Sequence, residues 1–282
     1  MIAANSLKNS KYKLPLNGYE YRYDSKTNTS YVADYAKDYE IDIVNASSGL
    51  QSLSPMALTS AYYSQFIADE KNTNTEFSFD QKKRWSEGVN KISRQNNMPE
   101  NSIQFLSDAL AQYKNKTEGL VKFETERDKQ IFKWLIRIIN SRFINVVEEP
   151  EQNLYPQSQA EVLYYLLQCF NTQSYNTTEK IENKLLITTH SPYILAYLTQ
   201  SAKAAELLEK GVPEKEIEKI VPVKAAVDGS KITIYETKAD GTIKLLKPYK
   251  SLPSDDNELN KALEEQNESF SDLLELEAKF CK

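Results

Sequence analysis

Glycine is scarce in this chain: there are seven in 282 positions, and none is followed by Lys-Ser or Lys-Thr. That excludes a G-x-x-x-x-G-K-[ST] loop, the backbone cradle and lysine that hold the phosphates of a nucleotide. Cysteine is scarcer still, with Cys169 and Cys281 far apart. Two distant thiols argue against a disulfide framework, and with His190 as the single histidine they argue equally against a zinc site. A reducing compartment fits this usage. No apolar run approaches the ~20 residues of a spanning helix. The opening MIAANSLKNSKYK has no apolar signal-peptide core, so the expected location is cytoplasmic, with no membrane partner. A formal charge of −5 argues against a broadly basic nucleic-acid surface and leaves room only for a local patch.

What is present is ample for a core: 40% hydrophobic and 27% charged residues, with 18 tyrosines. Tyr19, Tyr21 and Tyr23 alternate with Glu20, Arg22 and Asp24, the period of a half-buried strand. Tyr31–Ala33 and Ile41–Val44 extend this to antiparallel β over about 16–44. Ser47, Ser48 and Gly49 then form a helix start before MALTSAYYSQFIADE. Such a start caps a helix in the ordinary way, and its free N–H groups also suit an anion such as phosphate. Residues 71–126 are polar and read as a helical insertion or lid. Lys82–Trp85 is its basic cluster, open to nucleic acid but more simply a solvated face. Arg127–Asn140 carries a helical stripe through Ile131, Trp134, Leu135, Ile138 and Ile139.

Two short apolar runs then end in reactive residues. Phe143–Val147 leads into Glu148 and Glu149, and Leu185–Thr189 leads into His190. Pro156 opens a helix between them whose stripe is Val162, Leu163, Leu166, Leu167 and Phe170. This is a strand–helix–strand unit with parallel strands. The unbroken apolar run of the first strand predicts burial on both faces. In open α/β sheets ligands bind outside the carboxyl ends of strands. Adjacent carboxylates there are costly without a partner; a divalent metal and a nucleophilic water are natural ones. The plainer alternative is an acidic loop, with Glu151 favoured by a helix dipole. Pro192 opens a further helix. Val221–Val227 and Ile232–Thr237 are expected to pair across Asp228-Gly229, with a second turn at Ala239–Gly241, and residues 255–282 to close in an acidic amphipathic helix.

VVEEPEQNLYP resembles the metal-binding and catalytic-acid segment of the ABC-type ATPases, in the SMC-like and Old-nuclease-like (overcoming lysogenization defect) branch. LLITTHSPYIL resembles the switch-histidine segment of that branch, and Ser47–Gln51 resembles the ABC signature, upstream as in the family. The three motifs come in family order over about 16–60 and 127–240. The resemblance implies a partial ABC-ATPase α/β fold and Mg²⁺-dependent ATP hydrolysis. Glu148 would hold Mg²⁺ through water, Glu149 would polarise the attacking water, and His190 would contact the γ-phosphate. Ser48, Gly49 and Gln51 would close on ATP held by the opposite subunit, and Gln152–Leu154 would cross the dimer. Leu50 stands where the family has its second signature glycine, and Glu148 where many members have Asp.

The missing P-loop would precede the signature in that family, so the chain is expected to be the C-terminal part of a single ATPase-type domain. It would be completed by a P-loop segment elsewhere and work as a homodimer or with a P-loop-bearing partner, in settings such as DNA repair or phage defence. A second hypothesis is a degenerate, non-catalytic ATPase fold serving as an interaction module. A nuclease role is the weakest: Asp255 and Asp256 lie in a Ser/Pro-rich loop rather than at a strand end.

Overall fold

A computed structural model describes residues 11–68, 143–172, 183–238, 240–248, 252–253 and 256–281, together with the helical positions 87, 90, 91 and 94. The expected helix at 127–140, the Lys82–Trp85 cluster and most of the 71–126 insertion lie outside these residues. The chain forms two compact units, one of 1–62, 144–171 and 185–282 and the other of 63–143 and 172–184. In the second, the Phe143 N–H donates to Asn183 Oδ1 (3.0 Å), whose Nδ2 donates to the Thr172 carbonyl (2.6 Å).

The first unit begins with four antiparallel strands in sequential order: β1 (Lys11–Lys13), β2 (Glu20–Asp24), β3 (Thr29–Asp34) and β4 (Tyr39–Asp42). The alternation read in β2 is realised, with Tyr21 and Tyr23 buried and their neighbours half-buried. β4 stops earlier than Ile41–Val44 implies. Asp42 Oδ1 accepts the Val44 N–H at 3.1 Å and caps a 3₁₀ turn over Ile43–Asn45, which takes those residues out of the ladder.

Helix α1 (Ser48–Ala68) follows, and its first ladder bond runs from Gln51 N–H to the Ser47 carbonyl. Leu50, Ala57 and Leu58 pack it on the antiparallel sheet with Leu14, Tyr21 and Val32. Leu50 is therefore a core residue.

β5 (Ile144–Glu148) and β6 (Lys184–Thr188) are parallel: Lys184 N–H reaches the Phe143 carbonyl at one end and Glu149 N–H the Thr188 carbonyl at the other, both 2.9 Å. Between them, α2 (Pro156–Asn171) buries Val162 and Leu166 against Val147 and Leu53, and Leu163 and Leu167 against Ile194 of α3 (Pro192–Glu209). Burial of β5 on both faces does not occur. Val147 is buried, whereas Ile144 and Val146 are 63% and 60% exposed, and Leu186 of β6 is 57% exposed. Period-two alternation sends these side chains to the face opposite α1 and α2.

A second departure lies at Val221–Val227. Pro222 has no N–H for a ladder, and Val223–Ala225 is a 3₁₀ turn whose buried Ala225 packs, with Val221 and Val227, into the α2–α3 core. Asp228 caps another 3₁₀ turn through the Ser230 N–H (2.8 Å). The strand pair instead joins β7 (Ile234–Thr237) and β8 (Ile243–Leu246) around the Asp240–Gly241 turn. A short helix, α4 (Glu214–Ile217), buries Ile217 beside α3, and α5 (Glu258–Phe280) is the last described helix. The architecture is mixed α/β, with antiparallel and parallel sheets. No helix among the described residues is long and apolar enough to cross a membrane.

Candidate functional site

Where β5 ends the backbone turns sharply. Glu149 has φ +45° and Asn153 φ +57°, left-handed conformations uncommon for non-glycine residues. Two i→i+3 bonds close the turns, Gln152 N–H to the Glu149 carbonyl (3.0 Å) and Leu154 N–H to the Glu151 carbonyl (3.1 Å). The Glu149 N–H, tied to Thr188, carries the ladder one residue beyond β5. That bond anchors Glu149 to the end of the neighbouring strand.

The carboxylate of Glu149 is held from two sides. Gln152 Nε2 donates to Oε2 at 2.7 Å, and His190 Nε2 lies 3.4 Å from Oε1. The imidazole is 85% exposed and Glu149 37%, so the pair faces solvent at the strand ends and adds little stability. Glu148 is exposed at the last position of β5.

Glu151 is the residue that motif reading underrated. Its Oε1 accepts both the Thr189 hydroxyl and the His190 N–H, each at 2.7 Å, so it clamps the histidine loop rather than serving a helix dipole. Its Oε2 is buried without a hydrogen-bond partner among the described residues. Behind it, Ser191 Oγ accepts the Tyr193 N–H and caps α3, and it donates to Gln159 Oε1 (2.5 Å). The cue was a third carboxylate in one strand-end loop, facing the Thr-His that ends the other strand.

An open pocket of ≈ 390 Å³ lies between the first turns of α1 and the end of β5. Gly49, Ser52, Met56, Ser60, Asn145, Glu148, Glu149 and Gln152 help line it. Asn145 Nδ2 donates to Ser60 Oγ (2.9 Å) across its floor. Gly49 is essential to its shape: a Cβ there would lie 2.8 Å from the Asn153 carbonyl oxygen and 3.1 Å from Leu154 Cδ2. Helix start and acidic turn thus approach each other closely because residue 49 has no side chain.

Of the residues read from sequence, Gly49, Glu148 and Glu149 share this pocket, and His190 joins it through Glu149. Ser48 is exposed outside the lining, as is Gln51, whose Nε2 is spent on the Val44 and Ala46 carbonyls (3.0 and 2.9 Å).

The donor chemistry is acidic and hydroxylic. Glu148 and Glu149 are the hard oxygen ligands that Mg²⁺ takes one or two at a time while keeping several waters. Among the described residues no group of three or more His, Cys, Asp or Glu is placed to hold a metal alone. The pocket lining contains neither Lys nor Arg, so the lining does not fit a triphosphate by itself. Comparison with protein-family models, curated proteins and solved structures gives no match.

Proposed function

We propose that this chain carries the water-activating side of an ABC/SMC-like ATPase site, completed by a P-loop-bearing segment outside these 282 residues. The observation that carries the reading is the Glu149–His190 pair, 3.4 Å apart at the C-terminal ends of two adjacent parallel strands. Glu149 is the general base: its position is fixed by the Thr188 ladder bond and its side chain is oriented by Gln152. His190, presented by the Glu151 clamp, donates a hydrogen bond to the reacting phosphoryl group. Glu148 would hold Mg²⁺, which would supply neutralisation of phosphate charge.

The exposed apolar face of β5 and β6 supports completion from outside, because parallel strands are ordinarily covered on both faces. The test is ATP turnover by the chain extended upstream with a P-loop segment, or mixed with a separately encoded one. The chain alone is expected to show no turnover and weak ATP binding. The completed protein should hydrolyse ATP and lose at least about a hundredfold in rate with Glu149→Gln, the scale of a general base. Full turnover in that variant would remove Glu149 from the role. A cation-free pocket also favours a second reading, a non-catalytic interaction module; it prevails if the completed protein binds ATP without hydrolysing it.

A further inference from the structure

Helix α5 is long, amphipathic and bare. None of its 23 residues is buried, and every position from 261 to 281 is exposed. Among the described residues it is fastened at its first turn only. Asn257 caps it through the Asn260 N–H, Glu236 accepts the Glu258 N–H, and Lys238 and Lys261 pair with Glu258 and Asp256. Helices in water draw most of their stability from packing an apolar face. Here that face exists and is uncovered: Leu259, Leu263, Phe270, Leu273, Leu274 and Phe280 fall within about 120° of the helix surface. Phe270, Leu273 and Phe280 are 62%, 61% and 71% exposed.

The placement of charge identifies the occupant. Glu264, Glu265, Glu268, Asp272 and Glu275 lie on the far side of the helix. The borders of the stripe, where a basic partner would reach for acids, carry Asn260, Asn267, Ser269, Leu276 and Ala278, and the one acid there, Glu258, is already paired with Lys238. Neutral borders give a cationic partner nothing to pair with and give a second copy no like charge to repel it.

We propose that α5 pairs with α5 of a second copy of this chain, antiparallel and centred on Phe270. In that register Phe270 faces the partner's Phe270, Leu259 faces the partner's Cys281, and Glu277, the one charge within the stripe, faces the partner's Leu263. The two Glu277 carboxylates are then about 21 Å apart along the axis, beyond the screening length of physiological salt, whereas a parallel pair sets them side by side. Six apolar side chains from each helix would bury roughly 1,200 Å² in total, the lower bound of a stable interface. The pairing requires no nucleotide and does not depend on the ATPase reading.

Sedimentation equilibrium of the full 282-residue chain, without nucleotide or Mg²⁺, over about 1–200 µM tests it. A reversible monomer–dimer equilibrium is expected, weakened at least tenfold by Leu273→Asp and unchanged by Glu268→Gln on the far face. Far-UV circular dichroism verifies that the core remains folded in both variants. Cys281 is exposed and Cys169 buried, so a spin label at Cys281 reads the orientation: about 33 Å between labels for the antiparallel pair and below about 20 Å for a parallel one. A monomer throughout the range, or a dimer indifferent to Leu273→Asp, overturns the proposal, and a short label distance overturns the antiparallel register.

Discussion

Gly49→Ala sets two physical effects of opposite sign against each other, and the structure decides between them. Helix propensity alone says that alanine in place of glycine within α1 stabilises by up to about 1 kcal/mol. The geometry opposes this, because the new methyl would meet a backbone oxygen at 2.8 Å and a leucine methyl at 3.1 Å. A flexible side-chain tip would swing away, but a carbonyl of a pinned turn does not. The Asn153 carbonyl belongs to a segment closed by the 149–152 and 151–154 turn bonds, and Gln159 Nε2 holds the next carbonyl, that of Leu154, at 3.1 Å. Overpacking against such a surface costs about 1–3 kcal/mol. The expected balance is a net destabilisation of about 1–2 kcal/mol, a fall in Tm of roughly 2–6 °C for a domain of this size. Urea unfolding measures it, with the slope unchanged and the midpoint lowered. Amide shifts of Glu149–Asn153 should move as the turn is pushed off α1. A variant as stable as the parent, or more so, would refute the close approach and with it the pocket's architecture.

Three further outcomes follow from the same coordinates. Leu166→Ala empties a fully buried position among Leu53, Val147 and Val162 and should cost about 2–5 kcal/mol in urea unfolding. Ile144→Ser, on the exposed face of the same sheet, should stay within about 0.5 kcal/mol of the parent. Glu151→Ala strips the Thr189 hydroxyl and His190 N–H of their acceptor, at a local cost of about 1–3 kcal/mol; the His190 amide should exchange faster, and Glu151→Gln, which keeps an oxygen there, should restore most of the protection. Burial, with a smaller contribution from Tyr197, pushes the Tyr164 phenol up to about 12, and burial also raises Tyr12, Tyr21 and Tyr165. A raised folded-state pKa means stability is fully present below the unfolded value near 10 and is lost as pH climbs toward 12. Absorbance titration at 295 nm should show these phenols ionising late or only with alkaline unfolding.

Where packing repeats along the sequence, the elements could be read. The alternation through Tyr21 and Tyr23 and the stripe through Val162, Leu163, Leu166 and Leu167 each report contact with a continuous apolar surface, and each is buried as expected. What escaped reading depends on single local competitors or distant neighbours. Asp42 ends a strand by offering its carboxylate to a nearby N–H, and Pro222 removes a donor from an apolar run that looks like a strand. The contact of Gly49 with Asn153 joins residues about a hundred apart, and no periodicity encodes it. Glu151 resembled its acidic neighbours until the strand pairing set it beneath Thr189 and His190.

Electrostatics also explains why the isolated chain should bind ATP weakly, apart from any motif. The pocket presents Glu148 and Glu149 and no cationic side chain. A phosphate charge about 6 Å from one carboxylate is repelled by roughly 3 kcal/mol at an effective dielectric of 20. Two carboxylates and several phosphate charges multiply that cost, and hydrogen bonds from Ser52, Ser60 or the α1 N-terminus, at about 1 kcal/mol each, do not offset it. A divalent cation, held by Glu148, would remove part of the penalty by neutralising charge. The rest requires positive charge or a run of N–H donors from another segment. On the proposed ATPase reading, the carboxylates that would activate water also make the site dependent on a partner surface, and apparent ATP affinity should rise together with Mg²⁺ and with that segment rather than with either alone.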